Sequence, residues 1–167
     1  MAQVFSVVNG AAGNAAAPVK VTTGTSIKTM LQLATPSTRS IKIVSWWVSF
    51  DGTTAATPIA CELMHSTAIN ATVTAYVAAD ITKIQVPDPG DTSQLTLGTA
   101  ASGYTASAEG TVTAGVQYDY QLVPPTSSYL IRYELGREPV VPVSRFLRIR
   151  VTAGAAVNCV CGITWEE

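Results

Sequence analysis

With 167 residues, 47% of them hydrophobic and only 13% charged, the chain can fill one core and carries about half the charge of an average soluble protein. Lys and Arg number 10 against 11 Asp and Glu, a net charge of −1, which excludes the electrostatic footprint of a nucleic-acid or anionic-lipid binder. So little charge does little to keep neighbouring molecules apart, and much of the surface is expected to be covered by other subunits.

Residues 1–17 are predicted to form an extended arm outside the core. Their Gly/Ala/Asn centre cannot order itself and would order on a neighbour, with Val4, Phe5, Val7 and Val8 as the apolar side chains that reach it. The stretch lacks a basic leader, and Asn9, Gly10 and Asn14 interrupt any apolar run, so the protein is expected to be made and used without secretion. On that expectation the sequon Asn70-Ala71-Thr72 is accidental. No run approaches the length of a membrane span.

From residue 18 onward, period-two alternation dominates. PVKVTT, KTMLQLA, IKIVSWWVSF, IACELMHS and ATVTAYVA, like QVFSVV before them, set β-branched or aromatic residues between turn signals. SIKTML is compatible with a short helix, but strand is the preferred reading. In IKIVSWWVSF, Val44, Trp46, Val48 and Phe50 share one face and Ile41, Ile43, Ser45, Trp47 and Ser49 the other. The first is the better core face, which places Trp46 inside and Trp47 outside among small serines. Covering an exposed aromatic is worth several kcal/mol at about 25 cal/mol per Å². Another subunit is the preferred cover; the arm or a loop of the same chain is the alternative.

Residues 79–112 are poor in large apolar side chains and are expected to hold long exposed loops. Four clearer strands follow. VQYDYQL sets Val116, Tyr118, Tyr120 and Leu122 against Gln117, Asp119 and Gln121. YLIRYEL sets Tyr129, Ile131, Tyr133 and Leu135 against Leu130, Arg132 and Glu134. RFLRIRV sets Leu147, Ile149 and Val151 against Phe146, Arg148 and Arg150. VNCVCGITW turns Val157, Cys159, Cys161, Ile163 and Trp165 inward. DGTT, PDPGD, SGYT and LGREP supply turns. Short strands at this spacing predict an all-β chain: a single-domain antiparallel β-sandwich over residues 18–167, in jelly-roll order, behind the arm of residues 1–17.

Catalytic chemistry finds no foothold. His65 and Cys61 stand four apart on a strand, about 13 Å by strand rise, too far for proton transfer between nucleophile and base. Cys159 and Cys161 share a core face, and C-x-C with a single histidine is poor zinc spacing. Asp51, Asp80, Asp88, Asp91 and Glu109 neighbour turn residues, where a carboxylate caps the backbone; DPGD offers too few oxygens for calcium. Phosphate-loop, dinucleotide and nucleophile-elbow motifs are missing. No enzyme, cofactor or metal is expected. The late arginines, 132, 137, 145, 148 and 150, lie among Glu134 and Glu138 and predict local ion pairs. Trp46, Trp47, Tyr76, Tyr104 and Tyr133 are candidate sugar platforms, but Tyr118, Tyr120, Tyr129 and Tyr133 lie on apolar stripes, and for most of these core packing is the preferred reading.

Two blocks carry a resemblance, LQLATPSTRSIKIVSWWVSFDGTTAATPIACELM and YELGREPVVPVSRFLRIRVTAGAAVNCVCGITWEE. The pattern LQLATP…R…I…W.VSFDG, then LGRE…VP, R.R.TA…VN and a closing acidic strand resembles small head-decoration (cement) or minor capsid proteins of tailed bacteriophages. Trp47 departs from that pattern. The resemblance implies a trimeric β-sandwich bound to the major capsid protein on the outside of an assembled head, made in the host cytoplasm. A receptor- or carbohydrate-binding module of a tail or fibre is the alternative. Subunit contacts are expected at Trp47, Phe146, Arg148 and Arg150, and along Val4 to Val8.

Overall fold

The computed structural model describes residues 3–10, 19–53, 56–85 and 92–167. Thirteen strands follow one another: β1 (Val4–Val8), β2 (Val21–Thr22), β3 (Ile27–Ala34), β4 (Ile41–Phe50), β5 (Ile59–Ser66), β6 (Thr72–Ala75), β7 (Thr82–Lys83), β8 (Gly103–Ala108), β9 (Gly115–Val123), β10 (Ser128–Arg132), β11 (Val140–Val141), β12 (Phe146–Thr152) and β13 (Asn158–Glu166). A single 3₁₀ turn, Ala78–Asp80, is the helical part of the described residues.

All strand pairings are antiparallel and build two sheets. The first runs β10-β4-β13-β1-β7, with β11 also on β4 and β2 on β13; the second runs β6-β8-β3-β12-β5-β9. They pack face to face as a β-sandwich. From β3 to β5, and again from β9 through β10 to β12 and β13, the chain crosses between sheets. The jelly-roll connectivity expected from length is not established by this pairing order.

The core lies between the sheets. Phe5, Val7, Ile41, Ile43, Trp46, Val48, Cys159, Cys161, Ile163 and Trp165 fill it from the first sheet, and Leu31, Leu33, Ile59, Cys61, Leu63, Leu147, Ile149 and Val151 from the second. Of the inward sets expected for β12 and β13, Leu147, Ile149 and Val151 are buried, as are Cys159, Cys161, Ile163 and Trp165, while Val157, just before β13, is half-buried against the core. SIKTML belongs to β3.

Residues 3–10 correct the arm. β1 sits inside the first sheet between β13 and β7, with Phe5 opposite Trp165 and Val7 opposite Ile163. Phe5 and Val7 are buried in their own chain, and the Phe5 and Trp165 rings stack at 5.9 Å. Alternation in QVFSVV is strand-like, and β13 offers the partner that the downstream Gly/Ala composition obscured. Of the centre of the expected arm, Asn9 and Gly10 belong to the described residues and 11–17 lie outside them.

Three further expectations change. On β4 the alternation breaks at Val44: Ser45 faces Thr164 but Ile43 faces Trp165. This one-residue bulge turns Ile41 and Ile43 to the same side as Trp46, Val48 and Phe50, and all five are buried. On β9 the shift is larger in consequence. Leu63 faces Asp119 and Met64 faces Gln117, so Tyr118 is the extra residue. Val123 is buried while Tyr120 and Leu122 are exposed, the reverse of the expected faces. β9 is the edge of its sheet, so its outer face borders solvent, and inward Asp119 finds hydrogen-bond donors there. Finally, Leu135, expected inward, is 93% exposed beyond the end of β10. Among the described residues of 79–112, β7 and β8 stand between loops, and β8 pairs with β3 and β6.

Candidate functional site: the outer sheet faces

Registers across the first sheet place its outward side chains in rows. Leu130 of β10 faces Trp47 of β4, Trp47 faces Gly162 of β13, and Gly162 faces Val8 of β1. The next row holds Arg132, Ser45, Thr164 and Ser6. Trp47 is half-buried, and its cover comes from its own chain. A Cβ added to Gly162 would stand 2.8 Å from the indole Nε1 and 2.9 Å from Cε2, so the ring packs directly against the glycine and shields its backbone. The indole, Leu130, Ser128 and Arg132 line a shallow groove of about 450 Å³. Val4 and Val8 are half-buried on this outer face as well.

The outer face of the second sheet is different in kind. Arg148 is fully buried, because the chain folds over it: its guanidinium donates to the carbonyls of Ile69 and Glu109. The Glu109 carboxylate lies 3.8 Å away and also accepts from the Thr29 backbone N–H and from Thr29 Oγ1 at 2.7 Å. Burial lowers the Arg148 pKa to about 10, against the opposing pull of Glu109. Arg150 pairs with Glu62 at 2.6 Å, and Glu62 accepts from Gln117 at 2.9 Å. Arg148 therefore cannot meet a neighbouring subunit, contrary to expectation. Phe146 and Arg150 remain half-buried on this face. The expected contact residues thus separate: Trp47, Val4 and Val8 lie on one side of the sandwich, Phe146 and Arg150 on the other, and Phe5, Val7 and Arg148 inside.

Between the edges of the two sheets sits a polar hub that alternation alone did not reveal. Asp119 Oδ2 accepts from Trp46 Nε1 at 3.2 Å and from Tyr129 Oη at 2.8 Å; Oδ1 accepts from the Tyr120 N–H at 2.8 Å and Gln121 Nε2 at 3.2 Å. Burial, then the adjoining Asp119, pushes the Tyr129 phenol up to about 12. Beside it, Tyr118 Oη donates to the Val140 carbonyl at 2.7 Å and lies 2.7 Å from His65 Nδ1. Because the hydroxyl proton is committed to Val140, the imidazole is the donor, protonated at Nδ1. The signal in the sequence was the unpaired aspartate flanked by tyrosines in QYDYQ.

Other candidates engage their own chain. Cys61, Cys159 and Cys161 are buried free thiols; burial, then nearby Cys159, pushes Cys61 up to about 12, which suppresses the nucleophilic thiolate. Asp51 pairs with Lys20 at 2.5 Å, which holds its carboxyl below the usual range. Asp80 accepts from the Val77 N–H at 2.9 Å to cap the 3₁₀ turn. Asp88 and Asp91 lie outside the described residues. Among the described residues, no group of three or more His, Cys, Asp or Glu is placed to hold a metal ion.

Glu134 and Arg137 form an ion pair at 3.7 Å, whereas Arg148 and Arg150 find acids from distant segments instead of Glu134 and Glu138.

Comparison with known proteins is negative throughout: no family model, curated protein or solved structure matches the chain.

Proposed function

We propose that the protein is a non-enzymatic virion subunit that decorates the outside of a phage head, bound to the major capsid protein and associated with two further copies of itself. The observation that carries this reading is the outward row Leu130, Trp47, Gly162 and Val8. Side chains around it are small (Ser6, Ser45, Ser49 and Thr164) and allow a second surface to approach closely. Leu130 is 56% exposed. Burying it with the remaining face of the indole gains about 25 cal/mol per Å² of apolar area, with few charges to desolvate. The second sheet is less suited, since the chain itself covers Arg148 there. A subunit that binds only the assembled shell stabilises it by mass action.

Cryo-microscopy of purified particles tests the assignment. Density for this sandwich on the head exterior, with its first sheet toward shell subunits, is expected; density confined to the tail rejects it. Sedimentation at micromolar concentration tests the trimer, which a persistent monomer rules out.

A second reading, a carbohydrate-binding module on a tail or fibre, is favoured by one feature: the flat indole of Trp47 shares its groove with Ser128 and Arg132. An aromatic face flanked by polar groups suits a sugar ring. Saturable, Trp47-dependent signal on a glycan array would select this reading over the first.

A further inference from the structure

At one end of the sandwich, where β3 ends and β12 begins, a cleft of about 320 Å³ is lined by Thr35, Ser37, Thr96, Ser144, Arg145 and Phe146. Its framework is over-determined. The Arg145 N–H donates to Thr35 Oγ1 at 2.8 Å, the Thr35 N–H to the Arg145 carbonyl at 2.9 Å, and the Ser144 N–H to the Pro36 carbonyl at 3.2 Å. These bonds hold Ser144 at φ +53°, a left-handed conformation that costs a non-glycine residue about 1 kcal/mol or more and persists only where its surroundings impose it.

The side chain presented by this frame is not neutralised. Arg137, Arg148 and Arg150 each have a carboxylate within 4 Å. Arg145, like Arg39 and Arg132, has none among the described residues; its Nη1 donates to the Ser144 carbonyl at 3.0 Å. Arg145 is half-buried and lines this cleft beside the hydroxyl-bearing Ser37, Thr96 and Ser144. Arg145 also acts on its other neighbour: burial first, and then the Arg145 charge, lowers the pKa of His65.

We propose that the Arg145 cleft is a carboxylate-binding site that takes an acidic side chain of a partner protein. The planar guanidinium offers parallel N–H donors matched to a carboxylate fork. The hydroxyls can donate further bonds, and the Phe146 ring can pack against the aliphatic stem. One cation in the cleft balances one negative charge, which favours a carboxylate over a doubly charged phosphate. That the carboxylate belongs to a protein rests on the function proposed above; the anion site does not.

His65 reports on the cleft because it is the single histidine of the chain. The ionisable groups set against it are Tyr118 of β9 and Arg145. The experiment follows its imidazole proton resonances against pH in the full-length protein, with and without acetyl-Ala-Glu-Ala-amide, the corresponding Gln peptide, or inorganic phosphate. A bound carboxylate offsets the Arg145 charge, so the Glu peptide is expected to move the His65 midpoint upward, saturably, while the Gln peptide leaves it in place. Arg145→Gln is expected to raise the midpoint on its own and abolish the peptide response. Arg145→Lys keeps the charge but loses the fork, and is expected to weaken peptide binding about tenfold. No response to the Glu peptide in folded protein overturns the proposal, and so does a response to phosphate alone. The measurement uses isolated protein, so its failure is separate from a failure to find the protein on heads.

Discussion

Trp47 packs directly against Gly162, its cross-strand neighbour, at a distance that leaves no room for a methyl group. The pair explains how a strand carries two adjacent indoles: Trp46 fills the core and Trp47 covers the backbone of a glycine. Gly162→Ala is expected to lift the indole and destabilise the fold by about 1–3 kcal/mol, measured by urea unfolding. In a Trp47→Ala background the same substitution is expected to cost much less. Equal costs in the two backgrounds would show that the ring and the glycine are not coupled.

Asp119 joins the two sheets by accepting from Trp46 and Tyr129. Asp119→Asn removes the anion that helps hold the Tyr129 phenol at about 12. A spectrophotometric titration near 295 nm is expected to show one tyrosine ionising closer to 10 than in the parent protein. An unchanged titration would assign the whole shift to burial.

His65 gives stability a defined pH dependence. Its folded pKa lies below the ordinary 6.5 through burial and then Arg145, so the unfolded chain takes the proton first. As pH falls below about 6.5 the unfolded state binds more protons and stability declines, levelling off once the folded imidazole is also charged. Stability measured from pH 8 to pH 5 is expected to fall in this window, and His65→Gln is expected to flatten that slope.

β1 is part of the fold, and its removal is predicted to be severe. Asn9 extends its pairing through the side chain: Nδ2 donates to the Cys159 carbonyl at 3.2 Å and Oδ1 accepts from the Cys161 N–H at 2.8 Å. Asn9→Ala is expected to cost about 1–3 kcal/mol by leaving buried backbone groups unpaired, and Phe5→Ala about 3–5 kcal/mol. Deleting residues 1–10 is expected to abolish cooperative unfolding. A truncated protein with native stability would return these residues to the role of a free arm.

Much of the architecture was legible by itself in the amino-acid order. Period-two alternation located the long strands, and the inward sides of β12 and β13 could be read directly because their apolar stripes have no competing face. Trp46 was assignable to the core because Val48 and Phe50 continue its face without a polar break.

What only the tertiary structure decided is which of two faces turns inward when both are plausible, and what lies on top of the outward one. Alternation defines two sides of a strand but carries no label for the core. A single bulge at Val44 or Tyr118 exchanges those sides, and whether it forms depends on the partner strand. The edge position of β9 left Tyr120 and Leu122 outside, while donors from two strands of the opposite sheet satisfy an inward Asp119. Arg148 shows the same limit: its neighbours at Ile69 and Glu109 stand far away in the chain, and folding alone brought them over it.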